Sequence, residues 1–262
     1  MKSSHQRRDL AESFGSDAVR YNRTRPGYPS ALVDRILVGL DTPTVLDVGI
    51  GTGLAARPYR DAGGQVLGVE VDPRMAAVAR KAGFAVEVAD FEQWDPAGRL
   101  FDLVVAGQAW HWIDPVAGAE KAADVLRPGG RLAAFWNVAD PGPALADEFA
   151  EVYRAIDTGL PFTPWATSVD GYRPILDVAE AAVHATGRFT RPQRWHYEWS
   201  TFFTRDGWLD QVPTAAGHGQ LPPATLNALL NALGDVIDAH GGSFTMSYIT
   251  VAFLADQTDS RL

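Results

Sequence analysis

Residues 44–53, Thr-Val-Leu-Asp-Val-Gly-Ile-Gly-Thr-Gly, set a buried-strand pattern directly against three glycines at alternate positions. Without a Cβ the backbone of such a loop can approach a ligand closely, and the helix that follows turns its N-terminus toward it. The run therefore demands a strand–loop–helix unit. In open α/β sheets that carboxyl edge of the strands is where ligands bind. The spacing is G-x-G-x-G, whereas a dinucleotide fingerprint, G-x-G-x-x-G, needs glycine where this chain has Leu54. Asp47 stands two residues ahead of Gly49. A carboxylate there opposes a pyrophosphate and favours a ligand with a cationic group.

The first half of the chain continues in the rhythm of βαβ units. Leu32, Val33, Ile36, Leu37 and Leu40 share one face of a helix over 31–40. After the glycine loop a helix is expected at about 54–62 and a strand at 66–71. Asp72-Pro73 gives an N-cap and an N1 proline, and Gly83 sits at C′, which fixes a helix at about 73–82. Strands follow at 85–89 and 101–106, then a helix from Asp114-Pro115 to Arg127, and a strand at 131–136 after Pro128-Gly129-Gly130. Later come helices at about 143–157, 174–185 and 222–240 and strands at 189–199 and 243–254. Residues 158–172, rich in Pro, Gly, Thr and aromatics, read as a pocket-covering lid. The expected fold is α/β and Rossmann-like, with a seven-stranded sheet, mostly parallel with an antiparallel last strand, and helices on both faces. The 262 residues read as a single domain. Its parts are an N-terminal cap over 1–29, a cofactor-binding core over 30–137, a helical insertion or lid over 138–187, and C-terminal strands and helix over 188–262.

Composition narrows the chemistry. With no cysteine, a disulfide framework, a thiolate metal site and a Cys nucleophile are impossible. The six histidines are scattered, with none at helical i, i+4 spacing, so no metal is expected. A net charge of −9 repels nucleic-acid backbones and anionic lipid at long range. No run approaches the ~20 apolar residues of a membrane helix, and the first residues lack the apolar core of a signal peptide. The expectation is a cytoplasmic protein acting on a small molecule, with no nucleic-acid or membrane partner, as a monomer or homodimer.

The D-x-G-x-G-x-G run, Asp47 to Gly53 with Gly49 and Gly51 between, resembles motif I of the class I S-adenosylmethionine-dependent methyltransferases. Other segments match that family in order. Glu70, with Val71 beside it, corresponds to the acidic residue at the end of strand two that binds both ribose hydroxyls. Met75 corresponds to the apolar residue that packs on the adenine. Val88-Ala89-Asp90-Phe91 resembles the segment whose acidic side chain meets the adenine amino group and whose next N–H meets a ring nitrogen. Ala106 to Trp110, through Gly107, Gln108 and Ala109, resembles the segment beside the methionine moiety, and 126–130 the turn before strand five. These matches cover roughly residues 14–137. Residues 14–21, 25–29 and 110–112 are similar to trans-aconitate-methyltransferase-like enzymes, whose N-terminal cap folds over the cofactor. Tyr21 and Arg25 then fall at the cofactor's carboxylate end. The resemblance implies S-adenosylmethionine as cofactor and S-adenosylhomocysteine as its product. Each match also has a plain reading: Asp47 as a turn residue, Glu70 as a strand end, Met75 as core, Asp90 as a helix cap.

On the acceptor side, Trp110, His111 and Trp112 follow strand four. His111 reads either as a general base, given an unperturbed pKa near ~6.5, or as a ring packed between two indoles. Trp165, Tyr197 and His218 complete the expected substrate pocket. Methyl transfer from a sulfonium is an in-line substitution in which alignment and exclusion of water do most of the work, so no universal catalytic residue is expected. A nicotinamide-dependent oxidoreductase is disfavoured by Leu54 and Asp47. A non-catalytic cofactor-binding protein stays open on the residues alone.

Overall fold

The computed structural model describes residues 4–160, 164–165 and 172–258. In chain order the elements are α1 (Arg8–Ala11), α2 (Ala18–Thr24), α3 (Ser30–Leu37), β1 (Thr44–Val48), α4 (Arg57–Asp61), β2 (Gln65–Glu70), α5 (Pro73–Lys81), β3 (Ala85–Val88), β4 (Phe101–Gly107) and α6 (Pro115–Val125). Then come β5 (Leu126–Asp140), α7 (Pro143–Ala155), α8 (Arg173–Ala185), β6 (Gln193–Thr204), α9 (Arg205–Gln211), α10 (Pro223–Ala239) and β7 (Ser243–Asp256). The strands form one sheet in the order β3-β2-β1-β4-β5-β7-β6. The β1–β2, β1–β4, β2–β3 and β4–β5 pairs are parallel, and β7 runs antiparallel between β5 and β6. Strand order reverses between β1 and β4, which opens a crevice at their carboxyl edges.

The punctuation in the sequence sets the helix ends. Asp72 accepts the Arg74 N–H at 2.8 Å, Pro73 opens α5, and Gly83 follows at φ +90°. Asp114 accepts from the N–H groups of Val116 and Ala117 at the start of α6. Where expectation and structure differ, the causes are local. The strand expected at 189–199 runs from Gln193 to Thr204, because Pro192 has no N–H for the ladder; Phe189 makes only an isolated bridge to Gln257. The strand expected at 131–136 extends to Asp140, since polar Asn137 and Asp140 pair with Thr250 and Ser247 of β7.

Apolar layers cover both faces. Leu46, Val104 and Trp136 pack under α6 and α8, while Val45, Leu103 and Phe135 pack under α3 and α4. A third cluster joins Leu145, Phe149 and Tyr153 of α7 to Trp208 of α9, Leu229 and Leu233 of α10, and Tyr248 of β7. Among the described residues no helix is long and apolar enough to cross a membrane. Of the lid expected at 158–172, residues 161–163 and 166–171 lie outside the described residues.

Candidate active site

Two adjoining cavities lie along the carboxyl edges of β1, β2 and β4. The larger, about 710 Å³, runs over Glu70, Val71, Met75, Asp90, Phe91 and Ala109 to His111 and Trp112. The smaller, about 500 Å³, reaches Tyr28, Asn137, Tyr153, Trp165, Trp208, Gln211, His218 and Tyr248. Tyr21, Arg25, Gly49, Gly51, Gly107, Gln108, Tyr172 and Ala215 line both. The glycine loop and the turn after β4 therefore stand where the chambers meet.

The loop is built for close approach. The N–H groups of Gly49 and Ile50 both donate to the Val69 carbonyl, at 2.8 and 3.2 Å. Gly49 sits at φ +69°, and a Cβ there would come within 2.5 Å of the Ala109 Cβ. Gly53, at φ +87°, faces the Phe84 ring, 2.6 Å from where its Cβ would stand, so it serves packing beneath the loop and lines neither cavity. Across the junction Gln108 holds a left-handed φ of +57°, uncommon for a side chain of its size. Its N–H donates to the Phe135 carbonyl at 2.9 Å and its Nε2 to the Asn137 carbonyl at 3.0 Å.

Two carboxylates sit behind this backbone. Glu70 accepts the Gly51 N–H through Oε2 at 2.8 Å and the Asp72 N–H through Oε1 at 2.9 Å. Burial raises its pKa, opposed by those backbone bonds. Asp47 is fully buried, and neither of its carboxylate oxygens has a hydrogen-bond partner. It lines neither cavity; it lies under the loop within the field of Glu70, Tyr28 and Tyr59. Burial, then the Glu70 charge, pushes its pKa well up. These features fit the cofactor that the sequence implies. Each Glu70 oxygen keeps lone pairs for hydroxyl donors, and the partnerless Asp47 beneath the loop would suit a cationic group at the junction.

The Trp110–Trp112 segment is a single 3₁₀ turn, which sends successive side chains in different directions. Trp110 points inward against Phe91, ring centroids 6.2 Å apart, and is 2% exposed. It belongs to the core beneath the site, a correction to its expected place on the substrate pocket. His111 and Trp112 face the larger cavity. The Trp136 indole N–H donates to His111 Nδ1 at 3.0 Å, so the ring proton resides on Nε2. Burial depresses the His111 pKa to about 4. The ring is thus neutral at physiological pH, with its one basic nitrogen occupied, which makes it a donor toward the cavity and a poor general base. In a proton-detected titration, His111 should stay neutral down to about pH 5, with Nδ1 unprotonated; a midpoint near ~6.5 would contradict this placement.

The N-terminal helices close over the junction. Arg25 donates from Nε to Thr214 Oγ1 at 3.0 Å and from Nη2 to the Thr214 carbonyl at 2.7 Å. It lies 5.2 Å from the Tyr21 ring. Arg23 makes a bidentate pair with Asp210, and Ser13 accepts the Gly217 N–H at 3.0 Å. The first residues are tied in this way to the loop after α9. Trp165 and His218 lie on the smaller cavity. Tyr197 does not. Although 195, 197 and 199 share a strand face, Trp195 and Tyr197 pack over α3, and only Trp199 reaches the α7–α10 cluster.

Several lining residues carry no motif: Asn137, Tyr153, Tyr172, Trp208, Gln211 and Tyr248. For Tyr153 a signal existed. It continues the stripe Leu145, Phe149 at four-residue steps on α7, and a hydroxyl within an apolar stripe asks for a buried partner.

Comparison with known proteins agrees with this geometry. Residues 46–134 match the methyltransferase domain family. An uncharacterized methyltransferase of Mycobacterium tuberculosis is 29% identical over 256 residues, covering 95% of this chain and 97% of that protein. The malonyl-[acyl-carrier protein] O-methyltransferase of Enterobacter lignolyticus is 34% identical over 154 residues, 56% of this chain and 59% of that protein. Among solved structures, one described as a type II methyltransferase from Anaeromyxobacter dehalogenans superposes with a TM-score of 0.61 at 20% identity, covering 88% of this chain and 97% of that one. The YcgJ protein of Bacillus subtilis gives 0.52 at 17% identity, over 88% of this chain and 99% of that one. A sheet of this order, a ligand edge built on D-x-G-x-G-x-G, a methyltransferase-domain match over 46–134 and a methyltransferase relative similar over nearly its whole length together indicate a class I S-adenosylmethionine-dependent methyltransferase.

Proposed function

We propose that the protein transfers a methyl group from S-adenosylmethionine to a small metabolite. The observation that carries this reading is the pair of adjoining cavities meeting at the glycine loop and the Gly107–Gln108 turn. One chamber offers the residues of a nucleoside site and the other an aromatic acceptor site. The larger chamber would hold the adenosine portion: Glu70 for the ribose hydroxyls, Met75 and Phe91 as apolar walls for the base, and Asp90 at its polar edge. Tyr21, Arg25 and the buried Asp47 charge would set the amino-acid end at the junction. When bound, the cofactor supplies an activated methyl group on a sulfonium. The chain's own contribution is to align the acceptor and exclude water, which lowers the barrier through proximity and desolvation. His111, as a neutral Nε2 donor, orients rather than deprotonates. The acidic net charge and the acceptor chamber of about 500 Å³ suit a small substrate, and the expectation of a cytoplasmic protein rests on sequence composition.

Calorimetry tests the cofactor directly. S-adenosylhomocysteine should bind in the micromolar range, roughly −7 to −9 kcal/mol, while NAD should not bind. NAD binding without S-adenosylhomocysteine binding would overturn the proposal in favour of the oxidoreductase reading. A screen of metabolite extracts with methyl-labelled cofactor then separates an enzyme from a non-catalytic binder.

A further inference from the structure

Tyr153 and His218 form a buried dyad on the wall of the smaller cavity. Their Oη and Nε2 atoms are 2.7 Å apart, and the His218 Nδ1 is 3.0 Å from the Ala216 carbonyl. That carbonyl can only accept, so Nδ1 carries the ring proton and donates to it. Nε2 is then a bare acceptor, and the Tyr153 hydroxyl proton is committed to it. Burial raises the Tyr153 pKa and lowers that of His218, so both groups are neutral. What remains on Tyr153 Oη is acceptor capacity alone. Gln211, 6% exposed on the same cavity, holds a buried Oε1 with no partner, while the buried Trp208 indole N–H is a donor with none. Tyr153 Oη thus offers an acceptor on this wall, and Gln211 Oε1 and the Trp208 N–H are an acceptor and a donor without partners beside it.

A neutral hydroxyl can donate to Tyr153 Oη and accept from the Trp208 N–H at once. A carboxylate offers no proton to Tyr153 or Gln211. An ammonium offers no lone pair to the Trp208 N–H. Resting on the methyl-transfer reading above, we infer that the methyl-accepting group is a neutral hydroxyl that donates its hydrogen bond to Tyr153 Oη and accepts one from the Trp208 N–H. The proton balance closes within the same dyad. As the hydroxyl oxygen forms its bond to the methyl carbon and the sulfonium becomes a neutral thioether, the hydroxyl proton passes to Tyr153 Oη. Tyr153's own proton moves to His218 Nε2, and the resulting imidazolium is held through Nδ1–H by the Ala216 carbonyl. The methylated product has lost its donor. Its oxygen faces Tyr153 Oη lone pair to lone pair, which favours release.

The test uses the full chain loaded with S-adenosylhomocysteine and three probes of one shape: 2-naphthol, 2-methoxynaphthalene and 2-naphthoate. Calorimetry should show naphthol binding at least tenfold more tightly than either of the others, because only the hydroxyl has a proton to give the Tyr153 acceptor. Tyr153→Phe keeps the ring in the α7–α10 cluster and should bring the naphthol and methoxynaphthalene affinities to within about threefold. Absence of a naphthol preference in the wild type, through equal binding or none, overturns the inference, as does a preference for naphthoate. Imidazole ¹⁵N spectra give an independent readout. His218 should carry its proton on Nδ1 and none on Nε2 in the wild type, and a protonated Nε2 sinks the argument. Binding of S-adenosylhomocysteine is measured first. Its failure strikes the methyl-transfer reading itself, whereas intact binding with the wrong probe preference strikes only the hydroxyl assignment.

Discussion

Glu70→Ala is expected to weaken S-adenosylhomocysteine binding by about hundredfold, some 2–3 kcal/mol, and to lower the thermal stability of the apo protein in the same step. The two effects share one cause. Glu70 is 7% exposed and spans two backbone donors, Gly51 in the glycine loop and Asp72 at the cap of α5. Removing the carboxylate leaves both N–H groups in a mostly buried place without an acceptor, at about 1–3 kcal/mol for the pair. It also frees the loop whose shape the ligand needs. A residue that only touched the ribose would lose affinity without losing stability. A solvated strand end would lose neither. Glu70→Gln should fall between, since one carboxamide oxygen still accepts while its NH₂ meets a backbone donor head-on. Calorimetry and thermal melting on the same samples decide: unchanged affinity with unchanged melting would show that Glu70 has no part in the site.

The double duty of Glu70 marks the limit of what the sequence discloses. Position and spacing of Asp47, the glycines, Glu70 and Asp72 are written in local pattern, because strand ends, tight turns and caps are decided by neighbours within a few residues. The sheet was legible for the same reason, down to the antiparallel last strand. The acceptor chamber was not. Its walls come from α7, α9, the loop at His218 and β7, elements that meet only through the packing of Phe149, Trp208 and Tyr248. Spacing along the chain carries no trace of a contact such as Tyr153 to His218, 65 residues apart. Strand alternation likewise put Tyr197 with Trp199, but along a twelve-residue edge strand one face spans two different apolar layers. The Trp110–Trp112 segment misled in the opposite sense, since a 3₁₀ turn sorts adjacent aromatics between core and cavity.

Asp47→Asn should move stability and binding in opposite directions. Asp47 is a carboxylate at full burial with no hydrogen-bond partner for either oxygen, beside Glu70 and the hydroxyls of Tyr28 and Tyr59. Burial raises its folded-state pKa well above that of the unfolded chain. For an acid the sign follows directly. The folded state binds the proton more tightly, so its stabilising contribution is complete below the ordinary carboxylate range, near ~4. That contribution is lost as pH rises from there through the raised value. At neutral pH the apo protein therefore bears the cost of that raised value, which an amide does not incur. We expect the Asp47→Asn substitution to stabilise the apo protein at pH 7 by about 1–2 kcal/mol, a few degrees in Tm, with the gain vanishing as the pH is lowered toward ~4. The same change removes an acidic group beneath the junction, and S-adenosylhomocysteine affinity should fall by about tenfold, in line with the loss of one nearby opposite charge. The two measurements separate the roles of the residue. If the variant melted lower than wild type at pH 7, Asp47 would be a fold determinant with partners of its own. If it melted higher and bound the ligand equally well, the buried charge would serve no ligand at all. Higher melting with weaker binding is the outcome expected of a charge held in place for a cation that only the ligand brings.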